Sequence, residues 1–188
     1  MRWVESRHPP GVVGFITADR PRYYEFTDSL ERTQVPMGSH QFRASSCNPA
    51  GNCNDILTNM PPDAQWLWIL GDDHAWYEDL LLKLLDHDVD MVVPMVTRRV
   101  YPFLPVVYAK YVPSPNEEPM KGTRTCAWQE LSNMGPWGLY PIEAAGSAGL
   151  LIRRPVWEQM EEPWFRLATS GPASMAEDVD FTNRAVKM

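Results

Sequence analysis

Between Trp66 and Leu70 the chain sets five large apolar residues in a row, and then releases Gly71, Asp72, Asp73 and His74. A run without polar alternation predicts a strand covered on both faces, as at the centre of a parallel sheet. Gly11 to Thr17 ("GVVGFIT") predicts a second buried strand, followed by the turn "ADRPR". Tyr77, Leu80, Leu81, Leu84 and Leu85 fall at i, i+3, i+4, i+7 and i+8. That spacing predicts an amphipathic helix beginning near Trp76. Asp90 to Val96 reads as another strand, with Pro94 marking an edge or a bulge. Weaker patterns predict a helix from Tyr23 to Arg32, a strand from Ser39 to Ser45 and a short helix within Asn52 to Met60. Small residues from Ala144 to Gly149 precede an apolar run, after which a helix is expected near Pro155, and a last helix starts within Ser174 to Met188. Thr97 to Pro141 is rich in proline and aromatics and has no clear period, which marks it as functional or mobile.

Strands alternating with helices predict an α/β sandwich with a central, mostly parallel sheet. Such sheets bind ligands at the carboxyl ends of their strands. "TADRPR" and "GDDHAW" both fall at such ends. At 188 residues the chain is expected to form one domain, residues 1–188, with halves at about 1–96 and 97–188.

Seventeen basic residues against twenty-four acidic ones give a net charge of -7, which disfavours a nucleic-acid partner. Cys47, Cys53 and Cys126 form neither an even set nor a CxxC pair, so a disulfide framework and a zinc knuckle are not implied, and a reducing cytoplasm is expected. No segment reaches the ~20 apolar residues of a membrane span, and no secretory leader is evident. Eight tryptophans and eighteen prolines point weakly to rigid loops with flat aromatic surfaces for sugars or bases.

Two acidic groups stand out. Asp72, Asp73 and His74 offer hard oxygen ligands with one imidazole, a set suited to Mg²⁺ or Mn²⁺, the nitrogen favouring Mn²⁺. The plainer reading makes one aspartate the cap of the following helix and leaves the others solvated. Glu177 and Asp178 likewise have an ordinary explanation, in which Ser174 and Glu177 form a capping box, Asp178 is a first-turn acid and Asp180 pairs with Arg184. Arg20, Arg98 and Arg99 could hold a diphosphate, though an exposed arginine is usually just solvated. His8, His40 and His87 receive no role.

In chain order come "GFITADRP", "WLWILGDDH", "GSAGLLIRRPVWEQM" with "PWF" beyond it, and "EDVDFTNRAVKM". This series resembles the family 2 type of glycosyltransferase with a GT-A fold. The resemblance spans most of residues 11 to 188, and its last two motifs are the most specific. It implies a GT-A-like, Rossmann-like sandwich in which Thr17, Asp19 and Arg20 line the nucleotide pocket. Asp72 and Asp73 would bind ribose and metal diphosphate, with His74 in the last place of a DxD-like motif. Gly146, Ser147 and Gly149 would approach the donor sugar. Asp178 would be the base of an inverting enzyme, with Glu177 beside it as a supporting or acceptor-binding carboxylate. The family's Asp-rich turn after the second strand is missing, which leaves Asn48, Asn52 and Asn54 as substitutes for reading the base. Relatives of that family continue further beyond the "ED" pair, so the resemblance implies a catalytic domain minimal or truncated at its C-terminus.

The function expected on these grounds is metal-dependent transfer of a sugar from a nucleotide-diphosphate sugar, a UDP-sugar first among them, to a saccharide or other hydroxyl acceptor. Mn²⁺ or Mg²⁺ would be the cofactor. Three alternatives stay open. A sugar nucleotidyltransferase should carry a glycine-rich phosphate loop that "TADRPR" lacks. A non-catalytic carbohydrate-binding domain would use the aromatics alone. An enzyme acting on modified DNA would draw on Arg98, Arg99, Lys110, Lys121 and Arg124.

Overall fold

The computed structural model describes residues 1–17, 23–45, 48–98, 101–112, 123–133, 138–166 and 176–188. The chain divides into two compact units, Met1–Pro94 with Ser147–Trp164, and Met95–Gly146 with Phe165–Met188.

In the first unit the elements are β1 (Arg2–Val4), β2 (Val12–Thr17), α1 (Tyr24–Arg32), β3 (Gln34–Pro36), β4 (His40–Ser45), α2 (Pro49–Thr58), β5 (Trp66–Gly71), α3 (Leu80–Asp86) and β6 (Met91–Val92). The second unit holds β7 (Val107–Lys110), β8 (Arg124–Thr125), α4 (Trp128–Ser132) and β9 (Ala144–Ala145), after which β10 (Leu150–Arg153) and α5 (Arg154–Glu158) return to the first unit and α6 (Glu177–Val186) to the second.

The fold is mixed α/β around a five-stranded sheet in the order β4-β2-β5-β10-β6. β2 pairs in parallel with both β4 and β5, while β10 runs antiparallel to β5 and to β6. The sheet is therefore mostly parallel, and β5 is buried on both faces as expected, Trp66 to Leu70 being no more than 2% exposed. Pleating sends alternate residues to opposite faces. Val13 and Phe15 sit level with Trp68 and Leu70, and this face packs with Phe26 and Leu30 of α1 and Leu81, Leu84 and Leu85 of α3. On the opposite face Ile56 of α2 lies against Gly14 and Leu67. Two indoles fix the centre. Trp66 donates to the Pro9 carbonyl at 2.8 Å, and Trp68 to the Gly149 carbonyl at 2.9 Å.

Two predicted elements change, and one pair of strands was not predicted. The helix expected from Trp76 begins only at Leu80, and Tyr77 is 84% exposed. The reason is local: Trp76 gives its backbone N–H to Ser29 and its indole N–H to Thr33, and the Glu78 carbonyl accepts from Gln34 N–H. A segment so pinned to α1 and β3 cannot turn helically. The strand from Asp90 shrinks to Met91–Val92 and lies at the sheet edge, the position its Pro94 allows. β1 and β3, too short to show a period, form a parallel pair of their own.

In the second unit, β8, β7 and β9 form an antiparallel sheet in that order. α6 lies along β9, burying Val179, Phe181, Thr182 and Asn183, and Phe181 stacks on Phe165 at 4.3 Å. Among the described residues no helix is long and apolar enough to cross a membrane.

Candidate functional site

In the first unit, the carboxyl ends of β2 and β5 lie side by side, since Ile16 is level with Gly71. Thr17 is 1% exposed, and its hydroxyl accepts from Arg43 Nε of β4 at 3.4 Å. Arg43 carried no sequence signal, because only the pairing of β4 with β2 brings it there. Asp19 and Arg20 lie outside the described residues. Asn48 caps α2, its side chain accepting from Gly51 N–H at 3.2 Å, and Asn52 is buried in the same helix, while Asn54 is half-buried.

Beyond β5 the chain folds Asp73 and His74 back over Gly71. A Cβ on Gly71 would stand 2.9 Å from Asp73 Oδ1 and 3.5 Å from His74 Nδ1, so a side chain there would push the Asp73 carboxylate aside. Asp73 Oδ1 and His74 Nδ1 are 2.5 Å apart, within ion-pair distance, and Nδ1 is buried. A carboxylate oxygen and an imidazole nitrogen set side by side are ligand types that Mn²⁺ or Mg²⁺ accepts. Asp72 is half-buried beside them. Among the described residues, however, no three His, Cys, Asp or Glu side chains are gathered as a metal-holding group. The capping explanation for Asp72 to His74 does not apply, because the N-cap of α3 is Asp79.

Ser147 and Gly149 form the turn into β10, with Leu150 N–H donating to the Ser147 carbonyl. Gly149 has φ +79, and a Cβ there would meet Pro94 Cγ at 2.8 Å and Trp68 Nε1 at 3.7 Å. Its surroundings are thus Trp68 and Pro94, a packing reason for glycine that stands beside the sugar-approach role expected of it.

In the second unit, Gly146 and the start of α6 come together. A Cβ on Gly146 would be 3.5 Å from Asp178 Oδ2 and 3.0 Å from Val106 Cγ1. Asp178 Oδ1 accepts from Val179 N–H at 2.7 Å, which turns Oδ2 towards Gly146. The N-cap of α6 is Ala176, without a side-chain cap, so Glu177 is the first helical residue and not the third position of a capping box; Ser174 lies outside the described residues. Asp180 and Arg184 pair at 2.8 Å as their spacing predicted. Burial raises the Glu177 carboxyl above its ordinary pKa, and the neighbouring Asp178 charge adds to the rise. Burial also lifts the Tyr111 phenol, with Tyr108, Asp180 and Asp178 contributing in that order. Tyr108 and Tyr111 meet edge to face at 5.5 Å and pack with Val179, which brings β7 and the residues after it to the start of α6. Sequence reading missed both tyrosines and Thr182; a polar residue four places after Asp178 on the buried side of a helix was the available signal for the last.

Of the basic residues considered for DNA, Arg124 is held by both oxygens of Glu130 at 2.8 and 2.7 Å, Lys110 is exposed, and Arg99 and Lys121 lie outside the described residues.

No protein-family model and no curated protein matches this sequence. Among solved structures, the crystal structure of A197 from STIV is similar, with a TM-score of 0.57 at 15% identity over 94% of this chain and 78% of that one. At that identity the likeness is one of fold, a mixed α/β chain with a central, mostly parallel sheet.

Proposed function

We propose that the chain is a GT-A-like glycosyltransferase that takes a sugar from a nucleotide-diphosphate sugar, with a UDP-sugar as the first donor to test, and transfers it to an acceptor hydroxyl. The observation that carries this reading is the turn at Gly71. A buried strand ends in a glycine whose missing Cβ lets Asp73 and His74 stack their ligating atoms together, and neither residue serves a helix. A carboxylate oxygen held 2.5 Å from an imidazole nitrogen at the end of a buried strand offers two ligand types suited to a divalent cation. Bound there, Mn²⁺ or Mg²⁺ would offset charge on the departing nucleoside diphosphate.

The chain's own residues do the rest in this reading. Arg43 offers a guanidinium beside the buried Thr17 hydroxyl at the carboxyl end of β2, and Ser147 and Gly149 stand at the start of β10 for the donor. Asp178 takes the proton from the attacking hydroxyl, as a carboxylate held in a fixed orientation can. Glu177, its ionisation opposed by burial, supports the acceptor by hydrogen bonding.

Calorimetric titration of UDP, GDP and dTDP, with and without Mn²⁺, tests the proposal against an Asp73→Ala, His74→Ala double variant. Metal-dependent binding of one nucleotide that the double variant loses is the expected result. A wild-type protein that binds no nucleotide in either condition overturns it.

A further inference from the structure

Thr182 is 3% exposed and lies one helical turn after Asp178. Its hydroxyl oxygen accepts the Ala145 N–H at 3.0 Å. The same oxygen is 2.9 Å from the Asp178 carbonyl, 3.0 Å from the Ala145 carbonyl and 3.2 Å from the Val179 carbonyl. One hydroxyl proton serves one of these three at a time, so the oxygen is an acceptor for β9 and a donor shared between β9 and the first turn of α6. An i−4 bond of this sort within a helix needs no tertiary partner. The bond to Ala145 N–H is different, because it ties the helix to the residue immediately before Gly146. Asn183 adds a second fastening by donating to the Glu143 carbonyl at 3.1 Å, and Glu143 in turn accepts from Tyr111 N–H at 2.8 Å.

These bonds fix the height of α6 along β9. Asp178 begins the turn that Thr182 closes, and its Oδ2 lies 3.5 Å from where a Cβ on Gly146 would stand, next in chain to the clamped Ala145. A slip of α6 along β9 would carry Asp178 away from Gly146 while leaving the helix intact. We infer that Thr182 is a positioning residue that holds the carboxylate of Asp178 against Gly146 by binding the backbone of Ala145. Its bearing on catalysis rests on the proposed role of Asp178 as base; its bearing on the place of that carboxylate does not. Misplacing a base by about 1 Å lowers turnover by on the order of 100-fold without weakening ground-state binding.

The test uses the full chain with Thr182→Val, which keeps the shape and removes the hydroxyl, and Thr182→Ser, which keeps the hydroxyl. Two readouts are taken well below the melting temperature of each variant: Mn²⁺-dependent hydrolysis and transfer from UDP-glucose, and the carbon-13 NMR resonance of the Asp178 carboxyl carbon. The expected result is a fall in kcat of about 30-fold or more in the valine variant with donor KM within about twofold, recovery to within about threefold in the serine variant, and an Asp178 resonance that moves in the first and returns in the second. A valine variant with wild-type kcat, or a loss that serine does not restore, overturns the catalytic part. An Asp178 resonance that stays put in the valine variant overturns the positioning itself. A wild type that turns over no UDP-glucose while the resonance behaves as expected counts against the proposed transfer and in favour of the positioning.

Discussion

The turn after β5 and the start of α6 both set acidic residues beside a buried apolar run, and in the sequence the two look alike. They differ in what the backbone asks of them. Glu177, Asp178 and Asp180 open a helix, where exposed N–H groups and the dipole favour carboxylates whatever the function. Asp72 and Asp73 open nothing, since α3 waits until Leu80 and its N-cap position is Asp79. The first-turn acids of α6 therefore have an explanation in helix electrostatics beside their proposed chemistry. The strand-end acids lack that helix explanation, and this asymmetry is why the proposed function rests on the first unit.

The largest expected effect separates these explanations in the second unit. Asp178→Asn keeps the size of the side chain and gives up the base, so turnover should fall by about 10²–10⁴-fold with nucleotide affinity unchanged. Steady-state kinetics beside calorimetry reads this, and a variant as active as wild type would leave Asp178 a helix-start acid only.

In the first unit two glycines contrast a packing role with a proposed ligand role. Gly149→Ala must adopt φ +79 and press on the Pro94 ring at 2.8 Å, which should cost about 2–4 kcal/mol in urea unfolding. Gly71→Ala places a methyl 2.9 Å from Asp73 Oδ1, the end of a side chain that can swing aside. Metal-dependent nucleotide binding should therefore weaken by roughly tenfold, or about 1.4 kcal/mol, while the melting temperature stays nearly constant. Equal losses of stability in both variants would make the Gly71 turn structural, like the Gly149 one.

Glu177 gives the smallest effect. Its folded pKa is raised, chiefly by burial, so the folded state holds this proton more tightly than the unfolded chain does. The contribution to stability is fully present below the unfolded value, near 4.5, and is lost as pH rises through the folded value. Glu177→Gln should remove that loss and make the protein more stable above about pH 5, by a few tenths of a kcal/mol because the group is partly solvated. Denaturation midpoints at pH 4 and pH 7 check it. A variant that loses stability at pH 7 would reverse the sign and point to an unseen partner for the carboxylate.

Much of the fold was legible because its strongest signals are local. Trp66 to Leu70 has no polar position at which to meet water, so burial on both faces follows from composition alone. The apolar stripe from Leu80 to Leu85 is likewise a property of the helix itself. Where tertiary hydrogen bonds competed, the pattern misled. Tyr77 fits the helical period, but Trp76 and Glu78 find better partners in Ser29, Thr33 and Gln34, all remote in sequence. β7, β8 and β9 are two to four residues long, and each is held by its neighbour rather than by any period of its own.

By itself, the sequence determined which residues are chemically able to act: two aspartates and a histidine at the end of an apolar run, and an acidic pair at a helix start. Only the tertiary structure decided that Asp73 and His74 stack over Gly71, that the cap of α3 lies elsewhere, and that Thr182 clasps Ala145 beside Asp178. The physical reason is the range of the forces involved. Hydrophobic periodicity is written in neighbouring residues, whereas a hydrogen bond or a steric gap between Ala145 and Thr182 depends on where two distant segments come to rest.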